Sequence, residues 1–438
     1  MEQNKGRENL VLIVLIAAAA VVGVLAFMNN KAGRDANPQA VAAEPDGGTE
    51  TVTTTTASEA APILVAEKGT GVTLTAAADW AEQYPNQYNS YAKNDENDEI
   101  HSYIELHPYI TTLYRGYGFA IQYGSARGHT YVVEDVTSTG RPHKLANCFT
   151  CKTSTMTTLA LNEGDSAYSM AFEDVEAQIT DAFGCFHCHQ NEPGTLYVTH
   201  TYLADALDSS LDSQNMQNLV CAQCHSEYYF AMDTKATTFP YKGIENATPD
   251  AMLDYYNNLL DADGNVYADW VDEDTGVRRL KTQHPEFETI SAAGGIHPDM
   301  TCVTCHMGTA KADDGTTYTN HYWSSPLDNP ELLETSCNVC HGDITTQVEA
   351  VQKETLERLD VIGNDLKDAN DKLAEAYAGG SLSEDDLAKA QDLARTAQWY
   401  WDFVFVENSD GVHNKTLTKD CLDKAENYLG ELNAVLGA

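Results

Sequence analysis

A mainly α-helical fold with few strands and long C-terminal helices is what this 438-residue sequence predicts. Three observations carry the prediction. Cysteines recur as Cys-x-x-Cys pairs followed directly by His or Lys, the spacing at which haem c is attached. From about residue 80 to 343 the chain shows short mixed runs and many turns, without a long periodic helix. Beyond that point apolar residues step by three and four over many turns. Together these describe a multihaem cytochrome c domain whose core is built around five haems, with protein wrapped about the porphyrins.

The cysteines come first in the argument. Of 11 cysteines, ten form the pairs Cys148/Cys151, Cys185/Cys188, Cys221/Cys224, Cys302/Cys305 and Cys337/Cys340, leaving Cys421 alone. The last four pairs are followed by His189, His225, His306 and His341; the first is followed by Lys152. Zinc sites would leave the terminal His or Lys unexplained, and Lys is not among the usual zinc ligands. Redox Cys-x-x-Cys motifs do not occur five to a chain. Five covalently attached haem c groups are therefore expected, and their attachment implies assembly outside the cytoplasm. The spacing between the third and fourth pairs is much longer than the others, which leaves room there for added function.

The N-terminal part fits export. Asn9 to Asn30 carries no charge, and Leu10 to Met28 is an almost unbroken apolar run preceded by Lys5 and Arg7. At about 1.5 Å per residue such a helix matches the thickness of a bilayer core. It exceeds a usual secretory apolar core, and the small-residue site Ala40-Val41-Ala42 lies far downstream. Residues 1–30 are read as a signal anchor or signal peptide, with an uncleaved anchor favoured. This places the chain in the periplasm or on the outer face of the cytoplasmic membrane. Residues 31–75, rich in Ala, Thr, Gly and Asp, read as a flexible linker, with folded structure beginning near Trp80. Residues 76–343 form the haem-binding region.

Residues 344–438 read as helical. Val348, Val351, Thr355, Leu359, Ile362, Leu366, Ala369 and Leu373 make one apolar seam, which Gly379-Gly380 ends. Ser383-x-x-Asp386 reads as the cap of a second helix running to about Val406. A third covers roughly Thr418 to Leu436. The seam is expected to pack on its own domain and also to serve a homodimer.

A net charge of −40 argues against nucleic acid, whose phosphates such a surface repels. It also means that an anionic substrate would need a local positive channel.

Fourteen histidines remain to be accounted for. Four follow the cysteine pairs, and bis-His ligation of four haems would draw four more from the other ten. Position alone does not choose among them. A resemblance does. Arg127-Gly-His129, Cys148-x-x-Cys151-Lys152, Cys224-His225-Ser-Glu227-Tyr228-Tyr229-Phe230, Lys281-Thr-Gln283-His284-Pro285-Glu286, Gly295-Ile-His297, Tyr318-Thr-Asn-His321 and Gly411-Val-His413 occur in this order. From about residue 80 to the C-terminus the chain resembles the pentahaem, ammonia-forming cytochrome c nitrite reductases.

The resemblance implies distal ligands: His129 for the haem at Cys221/Cys224, His321 for that at Cys185/Cys188, His413 for that at Cys302/Cys305, and His297 for that at Cys337/Cys340. His101, His107, His143, His187 and His200 are then spare. It implies that 76–343 is catalytic, with nitrite reduced at the Lys152 haem and Arg141, Tyr228 and His284 in the distal pocket. Arg127 is the fallback for Arg141, though its place beside His129 suits a structural role. It implies a calcium ion held by Glu227 and Gln283 side chains and by the carbonyls of Tyr228 and Lys281, hard oxygen donors suited to that ion. The partner expected from the N-terminal anchor is a membrane quinol-oxidising multihaem cytochrome. Hydroxylamine or sulfite is the alternative substrate. An electron-transfer cytochrome without catalysis is the alternative of another class, and Lys152 speaks against it.

Overall fold

The computed structural model describes residues 62–437 except 123, 142 and 298. The expected anchor and most of the linker lie outside the described residues. Among those described, no helix is long and apolar enough to cross a membrane.

Short elements joined by turns make up the first two thirds of the described chain. Those that bear on the site include α1 (Pro85–Ala92), α2 (Ser154–Glu163), α3 (Thr201–Leu207), α4 (Met216–Ala222), α5 (Pro249–Asn258), α6 (Glu286–Ser291) and α7 (Cys302–His306). Each begins where the sequence offers a start signal or a turn. Thr153 accepts from Thr155 N ahead of α2, and Thr248 accepts from Ala251 N ahead of α5, with Pro249 at the first helical position. At α7, Thr301 and Thr304 cap each other reciprocally, which sets the Cys302–Cys305 pair on a single helical turn.

Among the described residues, strands are confined to three antiparallel hairpins: β1 (Tyr229–Phe230) with β2 (Thr237–Thr238), β3 (Trp270–Val271) with β4 (Arg278–Arg279), and β5 (Thr309–Lys311) with β6 (Thr317–Thr319). Tyr229 faces Thr238, Trp270 faces Arg279 and Thr309 faces Thr319. The β3–β4 turn is built on Asp272, whose carboxylate accepts from Asp274 N and Thr275 Oγ1. Gly276 closes that turn at φ 72°, a value that favours glycine.

Three long helices follow: α8 (Ile344–Gly379), α9 (Glu384–Phe405) and α10 (Lys415–Leu436). Asp343, Ser383 and Asn414 cap them, and Gly380 ends α8 in the left-handed conformation at φ 58°. Burial on α9 is nearly continuous from Leu393 to Val404, as in a helix enclosed on all sides. It packs on α8 and α10 and reaches back to the haem-binding region through polar side chains. Gln398 bonds Leu113 O and Arg279, Arg395 bonds Asn257 and Arg278 O, and Asp402 bonds Lys281 and Thr282. Gly363 on α8 lets the Tyr109 ring approach; a Cβ there would sit 2.6 Å from it.

Two expectations change. Six of the eight seam residues, Thr355, Leu359, Ile362, Leu366, Ala369 and Leu373, are buried within their own chain and Val348 and Val351 are half-buried, so most of that stripe is already covered. A second copy would have to meet other α8 residues, such as the exposed Leu356 and Val361. Ordered structure also begins before residue 76. Val65 pairs in parallel with Val198, and the Asn162 side chain both accepts from Val72 N and donates to Val72 O. Satisfied backbone groups fix residues that composition assigned to a tether.

Candidate haem centres and active site

The four expected histidine pairs are brought together, with their rings tilted or edge-on to one another. Ring centroids are 5.9 Å apart for His129 and His225, 6.3 Å for His189 and His321, 6.1 Å for His306 and His413, and 5.8 Å for His297 and His341. Two metal–imidazole bonds of about 2 Å each, with the half-width of two rings, place centroids about 6 Å apart. The residues present thus fit an axially ligated iron at each pair.

Several rings are turned by their second nitrogen. Nδ1 donates to Thr195 O from His189 at 2.8 Å, to Ser324 O from His306 at 3.1 Å and to Thr319 O from His321 at 2.8 Å. A carbonyl can only accept, so Nδ1 carries the proton and Nε2 keeps its lone pair for a metal. His413 Nδ1 lies instead 2.6 Å from Glu407 Oε1. Burial holds His129 down to about 3, which keeps it neutral, as a ligand must be.

The cysteine pairs are strung together. The Cys151 thiol lies against Cys224, the Cys221 thiol against Cys302, and Cys305 has Cys337 as an electrostatic neighbour. The first, third, fourth and fifth motifs therefore form a sequence of neighbours. Cys188, of the second motif, neighbours both Cys221 and Cys224.

The motif cysteines differ in exposure, and Cys340 stands apart. It is exposed, whereas the other nine motif cysteines are partly buried. The cause is its place in the chain. The fifth motif is a surface turn between the short segment Leu333–Cys337 and α8, and its middle residue Val339 is 71% exposed. The local turn itself is intact, with Cys340 N and His341 N both donating to Cys337 O, at 3.2 and 2.9 Å.

Lys152 ends the tight turn after Cys148, its N–H bonded to Phe149 O at 2.9 Å, just before the Thr153 cap of α2. Lys152 is a neighbour of His284, which burial foremost holds down to about 4. The His284 Nδ1 is buried and has no hydrogen-bond partner among the described residues. Its ring meets that of His225 at 6.1 Å. Arg141 is 6% exposed and is an electrostatic neighbour of Cys148 and Tyr117. Tyr228 is half-buried, in the turn between His225 and β1. Lys152, Arg141 and His284 are thus grouped by burial and charge around the first motif, with Tyr228 on the segment that follows the third. Arg127 is elsewhere engaged: it bonds Asp135 at 2.9 and 2.6 Å, pairs with Glu134 and lies over the Tyr131 ring.

The expected calcium donors also converge. Glu227 is fully buried; its carboxylate accepts from Tyr256 Oη at 2.9 Å and from Gln283 N at 2.6 Å, and Gln283 Nε2 donates to Lys281 O at 3.0 Å. Neither bonded neighbour of Glu227 is cationic, and the Lys281 ammonium is bound to Asp402. Burial accordingly pushes the Glu227 carboxyl well above its usual range. An oxygen-liganded cation would reverse that penalty. A set of one carboxylate, one amide and two carbonyls fits Ca²⁺. Among the described residues no group of three or more His, Cys, Asp or Glu side chains forms a metal site.

Sequence reasoning missed several residues here. Glu286 sits 3.5 Å from His225 Nδ1, and Glu288 accepts from Glu227 N and Tyr241 Oη. Glu286 stood inside a motif already singled out. Glu288, Asp402 and Glu407 had no signal, because only the fold brings them to these partners. Of the spare histidines, His187 and His200 are buried beside one another, and His187 Nδ1 bonds Ser154.

Comparison with known proteins gives consistent results. The cytochrome c552 family pattern matches residues 76–436. Subunit NrfA of the cytochrome c nitrite reductase of Nitratidesulfovibrio vulgaris is 31% identical over 399 residues, covering 79% of this chain and 75% of that protein. Cytochrome c-552 of Desulfotalea psychrophila is 30% identical over 396 residues, covering 82% and 74%. Among solved structures, the cytochrome c nitrite reductase of Desulfovibrio desulfuricans, described with two calcium sites in its catalytic subunit, superposes with a TM-score of 0.72 at 27% identity, over 82% of this chain and 85% of that one.

Proposed function

Because this chain belongs to the cytochrome c552 family, that of the ammonia-forming cytochrome c nitrite reductases, we propose that it reduces nitrite to ammonium outside the cytoplasm, at a Lys152-ligated haem c supplied with electrons by four bis-His haems c. The observation that carries the reading is the contrast between Lys152 at the first Cys-x-x-Cys pair and four histidine pairs for the other four.

A haem iron held from one side by Lys152 would supply an open coordination position for nitrite and the route by which electrons reach it. The chain's own side chains do the rest. Arg141, permanently charged and multiply donating, holds the nitrite oxygens and offsets the repulsion of an acidic protein. His284 is neutral while its surroundings hold it near 4; an arriving anion favours its protonated form, so proton and substrate enter together. Tyr228 contributes a phenolic donor. Six electrons and eight protons must reach one nitrogen before release, which is why a chain of redox centres serves better than a single one.

Glu227 and Gln283 side chains with the Tyr228 and Lys281 carbonyls would hold Ca²⁺ beside this pocket, fixing Tyr228 and the segment that carries His284. The packing of Glu227 against Gln283 supports this reading. Electrons would come from a membrane quinol-oxidising multihaem cytochrome, with the chain held at the membrane by residues 1–30 and acting as a homodimer.

Titration of the pure protein with nitrite, followed by absorbance and EPR, tests the proposal. One high-spin haem that responds to nitrite is expected, with ammonium formed in proportion to nitrite consumed. Five low-spin haems with no response would instead favour an electron-transfer cytochrome. A far higher catalytic efficiency on hydroxylamine or sulfite would reassign the substrate.

A further inference from the structure

Two axial histidines have a carboxylate beside Nδ1: His225 Nδ1 lies 3.5 Å from Glu286 Oε2, and the closer contact is at His413. The Nδ1 atoms of His189, His306 and His321 donate to backbone carbonyls. His413 Nδ1 faces a carboxylate, Glu407 Oε1, at 2.6 Å. Glu407 is 3% exposed. Its second oxygen accepts from Ser409 Oγ at 2.5 Å, and that same Oγ accepts from His413 N at 2.9 Å. The loop between α9 and α10 thus closes a compact ring through Glu407, Ser409 and His413, and Ile296 N holds it from outside by donating to His413 O at 3.0 Å.

We propose that Glu407 is a positioning and tuning residue that lowers the reduction potential of the haem held by His306 and His413. The inference rests on the ligand assignment proposed above. A carboxylate that accepts the Nδ1 proton makes the imidazole a stronger electron donor through Nε2 and places a buried negative charge near the iron. Both favour the oxidised, more positive iron. The same bond fixes the ring's rotation.

The position of this haem gives the tuning a role. Its cysteines stand between those of the third and fifth motifs: Cys302 lies against Cys221, and Cys305 neighbours Cys337. A lowered potential in the middle of the sequence keeps an electron from resting there and passes it on towards the first motif with greater driving force. The haem expected between His189 and His321, whose rings are both fixed by neutral carbonyls, lacks this influence and serves as the internal reference.

The test is a spectroelectrochemical titration of the holoenzyme and of Glu407→Gln and Glu407→Asp, with EPR on the same samples. Glu407→Gln should make one haem about tenfold easier to reduce, a rise of about 59 mV for a one-electron couple, in line with second-sphere effects of about 10–100-fold. The other midpoints should stay in place, and Glu407→Asp should lie nearer the wild type. Should Glu407→Gln fail to mature, Glu407→Asp decides: any rise confined to one haem supports the proposal. Unchanged midpoints in a variant with all haems attached overturn it. His413→Ala tests the underlying assignment separately. Conversion of one low-spin haem to high spin supports it, and retention of every low-spin signal removes the assignment and this inference together.

Discussion

Lys281 Nζ lies 2.9 and 3.1 Å from the two carboxylate oxygens of Asp402, joining two points 121 residues apart in sequence. Asp402 also accepts from Thr282 N at 2.8 Å and from Tyr114 Oη. The central helix α9 therefore grips the backbone immediately before Gln283 and His284. Removing one partner strands a buried charge, so Asp402→Ala should destabilise the protein by about 3–5 kcal/mol. Denaturant unfolding of the holoprotein measures this; a loss below about 1 kcal/mol would show that the pair contributes little.

Lys152→His would restore the ordinary motif at the first haem. All five haems should remain attached while nitrite reduction falls by most of its rate. Pyridine haemochrome analysis with a steady-state assay separates the two effects, and a fully active variant would sink the special role of lysine.

His284→Ala removes a proton donor rather than a ligand. A loss of about 10²–10⁴-fold in turnover is expected for a positioned general acid, with unaltered low-spin haem spectra. Normal turnover would take His284 out of the mechanism.

Calcium is open to direct measurement. Elemental analysis should find bound Ca²⁺ in the pure protein and less of it in Glu227→Gln. At a calcium level about 100 times its dissociation constant, the bound ion stabilises the fold by about 2.7 kcal/mol, so chelation should lower the melting temperature and readdition restore it. Wild-type protein free of calcium at full activity would refute the site.

The Asp250 carboxylate links α5 to α10 and α9, accepting from Lys424 Nζ at 2.7 and 2.8 Å and from Tyr400 Oη at 2.5 Å. Burial pushes its pKa up, but these donors outweigh burial and hold it below the ordinary aspartate value. Its contribution is therefore complete above the unfolded value, about 3.9, and is lost as pH falls through the lower folded value. Both charges are partly exposed, so the contribution is at most about 1 kcal/mol. Asp250→Asn should narrow the stability gap between pH 7 and pH 3, as followed by thermal melts; an unchanged gap would exclude the link.

The helices were legible because each carries its own signals. The Ser383 cap, the Gly379-Gly380 stop and the seam to Leu373 are local facts of sequence, and they recur in the structure as Ser383 bonded to Asp386 N and Gly380 at the end of α8. The histidine pairs were legible only through the resemblance, since His129 and His225 are 96 positions apart and no periodicity joins them. What escaped is of the same kind. Glu407 reaches His413 through a loop whose shape depends on Ser409, and Asp402 sits on a helix face that reads as ordinary amphipathic polarity until Lys281 is placed against it. Residues 62–75 were misjudged for the converse reason. Their composition is that of a linker, yet their backbone pairs with Val198 and Asn162.

The thiol contacts between motifs bear on how the protein is made. Cys151 lies beside Cys224 and Cys221 beside Cys302, so partners in separate attachment motifs become neighbours only when the chain collapses. In an oxidising compartment, adjacent thiols are liable to join each other. Each bond of that sort would unite two motifs and leave neither able to take its haem. With haem c attached at these motifs, thioether formation would have to precede tertiary closure, and a chain that folded first would be trapped rather than merely delayed.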